Sequence, residues 1–265
     1  MKKVIYIFSV CVAFTLAVVC VNAKGKALQR KQIKLNPENY TLICIDSSFV
    51  ADSEMEAIIK PYRDTIDLKM NERLCICDED MVASRPESNM TRFLTDLFLE
   101  KTAEFAAEKG VSKPDFALLN TSGIRSTFRK GDLTVSDVFQ VSPFENSAVV
   151  LSLDSAVAME LFKHVGERYG EALSGASLDI DKQGNISNVR IGGQPLRGDR
   201  SYKLATLDYI ATGGDGFDCL AKIPFEVGCD VPVREFIIDY LRRLDKSGKH
   251  AVAPTDERIH LISEK

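Results

Sequence analysis

Apolar residues along the chain form two kinds of pattern, short continuous runs and stripes with helical spacing. Continuous runs, typical of buried strands, occur at 41–45, 74–77, 116–119, 148–153, 202–210 and 259–262. Apolar residues three and four positions apart predict helices at 55–66, 88–110, 134–140, 154–170 and 231–244. Alternating residues at 178–180 and 186–191 flank a polar turn and predict a hairpin. The mixed order predicts an α+β fold, a mixed sheet packed with helices.

Individual residues indicate where these helices begin and end. Ser88 and Asp154 carry side-chain oxygens that can cap a helix N-terminus. Gly110 and Gly170 can adopt the left-handed conformation in which many helices end. Pro61 lies inside the first helical pattern, so we expect a kink or a break there.

The first 23 residues have the pattern of a secretory signal. Lys2 and Lys3 precede an apolar run at 4–21, and Val-Asn-Ala at 21–23 offers residues that a signal peptidase reads. The run is about long enough to span a bilayer, so a membrane anchor is one alternative and a lipid-anchored Cys20 another. We expect cleavage, export to the periplasm or the cell exterior, and no transmembrane segment in the mature chain.

The charge distribution separates a basic arm from an acidic body. The 265-residue chain has a net charge of −4, yet the segment 24–34 carries only cations. We interpret 24–39 as a basic linker and 40–265 as one domain. The acidic body disfavours a nucleic-acid polymer as partner, because such binding requires many cationic phosphate contacts. A single nucleotide needs only one local cationic site and stays compatible with this charge.

Cysteine usage leaves disulfide pairing open. Five cysteines lie beyond the signal, at 44, 75, 77, 219 and 229. Some can pair in an exported protein, and Cys219 with Cys229 is the nearest candidate in sequence. Cys75 and Cys77 alternate within a predicted strand and therefore share one face. We favour buried free thiols over metal ligands there, because no histidine or further cysteine lies nearby.

The motifs of common hydrolases do not occur in the sequence. Its three histidines, at 164, 250 and 260, do not form His-x-His, Asp-x-His or His-Glu-x-x-His arrangements. No Gly-x-Ser-x-Gly elbow or Walker loop occurs either. We therefore expect no catalytic residue and no metal or other cofactor bound by this chain, and poor catalysis by the chain alone. We interpret His164, in the middle of a predicted helix, as structural.

Two glycine-containing loops offer binding chemistry. One leaves a predicted buried strand at Asn120, bends at Gly123 and ends at Arg125, whose guanidinium can hold a phosphate through two parallel contacts. In the other, glycines flank Asp215, which can accept hydrogen bonds from sugar hydroxyls, and Tyr209 offers a ring for stacking. Taken alone, each loop is better explained as an ordinary turn.

The order of three motifs favours the functional interpretation. Asn-x-x-Gly-Ile-Arg lies at 120–125, Pro-Phe-x-Asn at 143–146 and Ala-Thr-x-x-Tyr-x-Ala-x-Gly-Gly-Asp-Gly at 205–216. Together they resemble the C-terminal domain of bacterial periplasmic and animal ecto-5'-nucleotidases. The resemblance covers roughly residues 40–225 and is clearest over 116–220.

The resemblance implies a substrate-binding domain, which in that family accompanies an N-terminal metallophosphatase domain with two metal ions. It implies that Arg125 holds phosphate, Tyr209 stacks on the base and Asp215 binds ribose. The implied substrate-binding residues are Asn120, Gly123, Arg125, Phe144, Asn146, Tyr209, Gly213, Gly214 and Asp215. The chain departs from the family at 121–122, where glycines are common. It also departs at 173–176, where Leu-Ser-Gly-Ala replaces a second aromatic.

These features lead to the hypothesis of a split 5'-nucleotidase or nucleotide-sugar hydrolase acting in nucleotide catabolism. This chain would bind the nucleotide or nucleoside, and a metallophosphatase polypeptide would supply the divalent metals. A stand-alone nucleotide-binding protein is the first alternative. An interaction domain with a decayed pocket is the second, and the missing second aromatic is its main support.

Overall fold

The computed structural model describes Asp46 and residues 48–262. The predicted signal at 1–23, the linker at 24–39, the strand at 41–45 and Cys44 all lie outside these residues. The chain divides into two compact units, Met1–Glu56 and Ala57–Lys265.

Helices and strands alternate irregularly along the described residues, which confirms the predicted α+β class. The helices are α1 (Ser53–Met70), α2 (Asn89–Glu108), α3 (Val135–Val141), α4 (Ser155–Glu167), α5 (Asp208–Ala211) and α6 (Val233–Lys246). The strands are β1 (Arg73–Cys77), β2 (Phe116–Leu119), β3 (Gly131–Thr134), β4 (Ser147–Leu153), β5 (Ala172–Ser174), β6 (Ala176–Ile180), β7 (Ile186–Ile191), β8 (Gln194–Pro195), β9 (Tyr202–Leu207), β10 (Phe225–Pro232) and β11 (Ile259–Leu261). Short 3-10 turns occupy Thr121–Gly123, Gly214–Gly216 and Asp218–Leu220.

A five-stranded sheet with the order β10-β4-β9-β2-β5 forms the centre of the second unit. Only β2 and β9 run parallel in it, with Phe116 opposite Leu204 and Ala117 opposite Ala205. The other neighbours in this sheet are antiparallel. Because β2 and β9 are adjacent and parallel, the segments that follow their carboxyl ends emerge at the same edge of the sheet.

Apolar side chains of this sheet and of the helices α2 and α4 form the core. Phe116 of β2 stacks on Phe162 of α4, with ring centroids 5.5 Å apart. A second sheet, β11-β6-β7-β8, contains the predicted hairpin, with β6 and β7 antiparallel. Ser88 caps α2 as predicted, and it forms a reciprocal capping box with Thr91.

Helix α1 differs from the expectation at Pro61. The helix is continuous from Ser53 to Met70 and therefore does not break at the proline. Proline removes one backbone donor, but none of the residues of α1 is buried, so water can satisfy the carbonyl left without a partner. The apolar stripe of α1 is exposed, with Ile58 at 62% and Tyr62 at 69%.

In the last third of the chain one prediction was wrong and one strand was missed. The strand predicted at 202–210 ends at Leu207, and the next four residues form α5. Strand β10, which pairs with β4 at an edge, was not predicted, because its side chains are mostly exposed and give no apolar run.

Cys229 in β10 and Cys219 are free thiols and form no disulfide. Cys75 and Cys77 are buried free thiols, as predicted.

Candidate functional site

Three segments meet at the edge of the five-stranded sheet where β2 and β9 end. Asn120 directly follows β2, and Asp208 directly follows β9. The segment 143–146 enters the antiparallel strand β4 at the same edge, and Ser147 donates its backbone N–H to Asp208 Oδ1 at 3.1 Å. The sheet topology therefore brings together loops that are about 90 residues apart in sequence.

These segments enclose a cleft with an empty volume of about 700 Å³ that is open to solvent. Its lining residues are Asn120, Ser122, Gly123, Arg125, Phe144, Asn146, Tyr209 and Asp215. Arg125 and Asp215 thus lie in one cleft, as the motif order predicts. Of the predicted residues, Gly213 and Gly214 do not line it and instead shape the loop behind it. Ser122, which was not predicted, does line it.

The carboxylate of Asp215 is held by three side-chain donors from two segments of the chain. Its Oδ2 accepts hydrogen bonds from Asn120 Nδ2 at 2.9 Å and Ser122 Oγ at 2.8 Å. Its Oδ1 accepts from Tyr209 OH at 3.0 Å. Burial alone would raise the pKa of Asp215, but these three hydrogen bonds and the nearby charge of Arg168 outweigh it and lower the pKa. Asp215 is therefore ionised at neutral pH before any ligand arrives.

Tyr209 is fixed by its own loop and keeps a partly open ring. Besides the bond to Asp215, its hydroxyl accepts the Asp215 backbone N–H at 3.2 Å. A Cβ at Gly214 would lie 2.6 Å from two ring atoms of Tyr209, so the ring rests directly on the glycine backbone. The Tyr209 residue is 42% exposed. A flat group can therefore stack on its open side.

Arg125 is the exposed cation of the cleft. Its backbone N–H donates to Val141 O at 3.0 Å, which anchors the residue, and its Nη1 donates to Ser122 O at 3.1 Å. No salt bridge involves Arg125 within the part of the chain that the structure describes. The remaining guanidinium donors are free to bind an anion.

A buried carboxylate behind the cleft connects the two loops. Glu171 is fully buried and accepts hydrogen bonds from Arg85 Nη2 at 2.6 Å, Arg168 Nε at 2.5 Å and the Thr121 backbone N–H at 2.6 Å. Arg168 in turn donates to the backbone oxygen of Asp215 at 3.1 Å. Glu171 and Arg168 were not predicted, because neither belongs to a recognisable motif.

His164 also supports the second loop. Its Nε2 lies 3.0 Å from Asp215 O, so this nitrogen donates to the carbonyl. Its ring packs edge-on against Phe217, with centroids 4.6 Å apart. The contacts agree with the structural role expected for His164.

The departures from the family motifs are visible at the cleft. Leu173, Ser174 and Ala176 are buried in β5 and β6 and present no ring to the cleft. The aromatic side chains that line the cleft are Tyr209 and Phe144, and the Phe144 residue is 47% exposed. Gly123 is required by close packing, because a Cβ there would lie 2.7 Å from Asn120 Oδ1.

A small apolar cavity of about 40 Å³ adjoins the cleft. It shares Asn120, Gly123, Phe144 and Asn146 with the cleft, so these residues form the common wall. Its other lining residues are Leu94, Leu97, Leu119, Ile124, Val141, Ser142, Leu207, Val233 and Ile237. The first turns of α6 thus contribute to the surroundings of Phe144.

Among residues 48–262, no group of three His, Cys, Asp or Glu side chains is arranged to hold a metal ion. None of the helices described is long and apolar enough to cross a membrane.

The fold and the cleft together define an α+β domain whose open cleft presents a cation, an exposed aromatic ring and an ionised carboxylate. Residues 75–222 match the family described as "5'-nucleotidase, C-terminal domain". The chain belongs to this family, which confirms the resemblance drawn from the motifs.

Relatives and solved structures agree with this assignment. A 5'-nucleotidase of Vibrio cholerae is 23% identical over 241 residues, which cover 87% of this chain and 41% of the relative. Protein UshA of Yersinia enterocolitica is 32% identical over 160 residues, covering 58% of this chain and 29% of the relative. The crystal structure of a 5'-nucleotidase precursor from Thermus thermophilus superposes with a TM-score of 0.67 at 26% identity, covering 79% of this chain and 43% of that one. The chain therefore spans less than half the length of these relatives.

Proposed function

We propose that the cleft binds a nucleotide, with the phosphate on Arg125, the base on Tyr209 and the ribose on Asp215. The observation that carries this proposal is the convergence of a free guanidinium, an open ring and a carboxylate in one cleft. A guanidinium suits a phosphate because its planar donors match two phosphate oxygens.

The hydrogen bonds of Asp215 leave room for one sugar hydroxyl. A carboxylate has about four lone-pair sites. Asn120 and Ser122 occupy Oδ2, whereas Tyr209 alone donates to Oδ1. The remaining site on Oδ1 is the one we assign to ribose. Tyr209 is the ring that we assign to the base, and stacking of a base on an aromatic ring contributes roughly 1–3 kcal/mol.

We further propose that the chain is the substrate-binding half of an exported 5'-nucleotidase or nucleotide-sugar hydrolase in nucleotide catabolism. A metallophosphatase polypeptide would supply two divalent metals and the activated water. Support comes from the relatives named 5'-nucleotidase and from the secretory pattern at 1–23. One Listeria monocytogenes relative, 24% identical over 237 residues, is named a cell wall protein.

Binding is tested by calorimetry with AMP, adenosine and UDP-glucose on the wild type and on Arg125→Ala. We expect AMP to bind, and Arg125→Ala to weaken AMP roughly tenfold or more while changing adenosine little. The matched control is Arg129→Ala, since Arg129 is exposed and pairs with Asp80 at 3.0 Å away from the cleft lining. Absence of nucleotide binding by the wild type would overturn the proposal.

The division of labour is tested by phosphate release from AMP with Mn²⁺ or Mg²⁺. We expect no release by the chain alone and release when a metallophosphatase polypeptide is added. Robust hydrolysis by the chain alone would contradict the split arrangement. Tight binding without any effect of the added polypeptide would favour a stand-alone binding protein.

A further inference from the structure

The segment 143–146 is neither helix nor strand, and it bears Phe144, whose ring forms one wall of the cleft. It joins α3 to β4, and its residues Phe144 and Glu145 are exposed. Such a segment holds one conformation only if neighbouring elements bind its backbone. The position of the Phe144 ring therefore depends on what holds these few residues.

Arg234, in the first turn of α6, provides most of that support. Its Nη1 donates to Pro143 O at 3.4 Å and to Phe144 O at 3.3 Å. Its Nη2 forms an ion pair with Glu145. The neighbouring Val233 donates its backbone N–H to Asn146 O at 2.9 Å. The start of α6 thus binds the whole segment.

The environment of Arg234 fits a positioning role better than a general stabilising one. The residue is only 8% exposed, and its guanidinium lies 4.6 Å from the ring centroid of Phe139, which fixes its plane. Its Nε is buried and has no hydrogen-bond partner in the described residues. A buried cation with an unused donor is a poor contributor to stability. Its remaining donors are aimed at the segment that bears Phe144.

We propose that Arg234 is a positioning residue that fixes the Phe144 wall and thereby sets the affinity of the cleft for its ligand. This inference rests on the proposed nucleotide binding. Arg234 lies outside the residues 75–222 that match the family, so the matched region does not include it.

Loss of the guanidinium should leave the fold intact. Glu145 has a side chain that is 73% exposed, and Pro143 and Phe144 are exposed residues, so water can solvate the freed groups. Lysine cannot replace arginine fully, because one ammonium cannot donate in the same plane to both carbonyls and the carboxylate.

The first experiment measures AMP affinity by calorimetry for Arg234→Gln and Arg234→Lys. We expect roughly tenfold weaker binding for glutamine and a smaller loss for lysine. The matched control is Arg242→Gln, because Arg242 lies on the same helix but pairs with Glu72 at 2.8 Å. If Arg234→Gln does not fold, the lysine variant carries the comparison. Unchanged affinity in folded Arg234 variants would overturn the proposal.

A double-mutant cycle separates positioning from general damage. In a Phe144→Ala background the ring is absent. Adding Arg234→Gln should therefore weaken AMP binding by less than about twofold relative to Phe144→Ala alone. A further tenfold loss in that background would show that Arg234 acts other than through Phe144, and would refute the inference.

Hydrogen exchange gives a readout that needs no ligand. In Arg234→Gln the amides of Val233 and Ser147, which donate to Asn146 O and Asp208 Oδ1, should exchange roughly tenfold faster, whereas those of β2 should not change. Faster exchange together with no AMP binding by the wild type would retain the positioning role and reject the proposed function. Unchanged exchange would reject the positioning role whatever the chain binds.

Discussion

Replacement of Glu171 by glutamine is the most direct test of how the cleft is held together. The substitution keeps the shape of the side chain and removes its charge. In the wild type, Arg85, Arg168 and the Thr121 amide all donate to this carboxylate. Glutamine retains one carbonyl oxygen as an acceptor, but its NH₂ group replaces the second oxygen and would face N–H donors that require an acceptor.

The expected loss in the free energy of unfolding follows from the burial of Glu171. Removing one partner of a buried ion pair typically destabilises a protein by about 3–5 kcal/mol. The side chains of Arg85 and Arg168 are 34% and 25% exposed, so water can partly solvate them after the change. We therefore expect the low end of the range, about 3 kcal/mol. In a domain of this size that loss corresponds to a fall in Tm of roughly 6–12 °C.

The assay is thermal and urea unfolding followed by circular dichroism at pH 7. The matched control is Glu167→Gln, since Glu167 is nearby in sequence but 71% exposed. It should change stability by less than about 0.5 kcal/mol. A Glu171→Gln protein that melts within about 1 °C of the wild type would refute the view that Glu171 connects the two loops.

Three further predictions concern the second loop and its surroundings. Gly214→Ala should displace the Tyr209 ring, because the new Cβ would lie 2.6 Å from two of its ring atoms, and should weaken AMP binding roughly tenfold by calorimetry, whereas the control Gly198→Ala, whose Cβ meets nothing within 4 Å, should leave it unchanged. The pKa of Asp215 is lowered, so the ionised carboxylate should contribute its full stabilisation above pH 3.8 and lose it as the pH falls further. The difference in unfolding free energy between wild type and Asp215→Asn should therefore shrink from pH 7 to pH 3. A larger difference at pH 3 would contradict the assignment. Burial raises the pKa of Cys219 from 9.0 to about 11, so iodoacetamide should label this thiol about a hundredfold more slowly than an exposed thiol at pH 8. Peptide mass spectrometry measures the labelling, and the difference should disappear when urea unfolds the protein.

Local sequence signals predicted the elements that carry the cleft. The strand at 116–119, the caps at Ser88 and Asp154 and the hairpin are all present. They could be predicted because each depends on residues close together in sequence, through apolar runs, capping oxygens or turn residues. The edge strand β10 could not, since its pairing with β4 is a long-range contact between mostly exposed residues.

The candidate site was only partly predictable, for a related reason. Arg125, Tyr209 and Asp215 were found because their loops carry recognisable motifs, and the structure brings them into one cleft. Arg168 and Glu171 lie behind the cleft and act only once the fold has placed them against both loops. No spacing in the sequence distinguishes them from other charged residues at the end of a helix.

The parallel pairing of β2 and β9 has a consequence for how such a protein can change its ligand. Adjacent strands are separated by about 4.8 Å, so the bases of the two loops are a fixed distance apart whatever their tips contain. A tip grafted from another member of the family, at 121–125 or 212–216, would inherit that alignment without any alteration of the sheet. New specificities are thus accessible through short exchanges of sequence at two places, while the core that supports them stays the same.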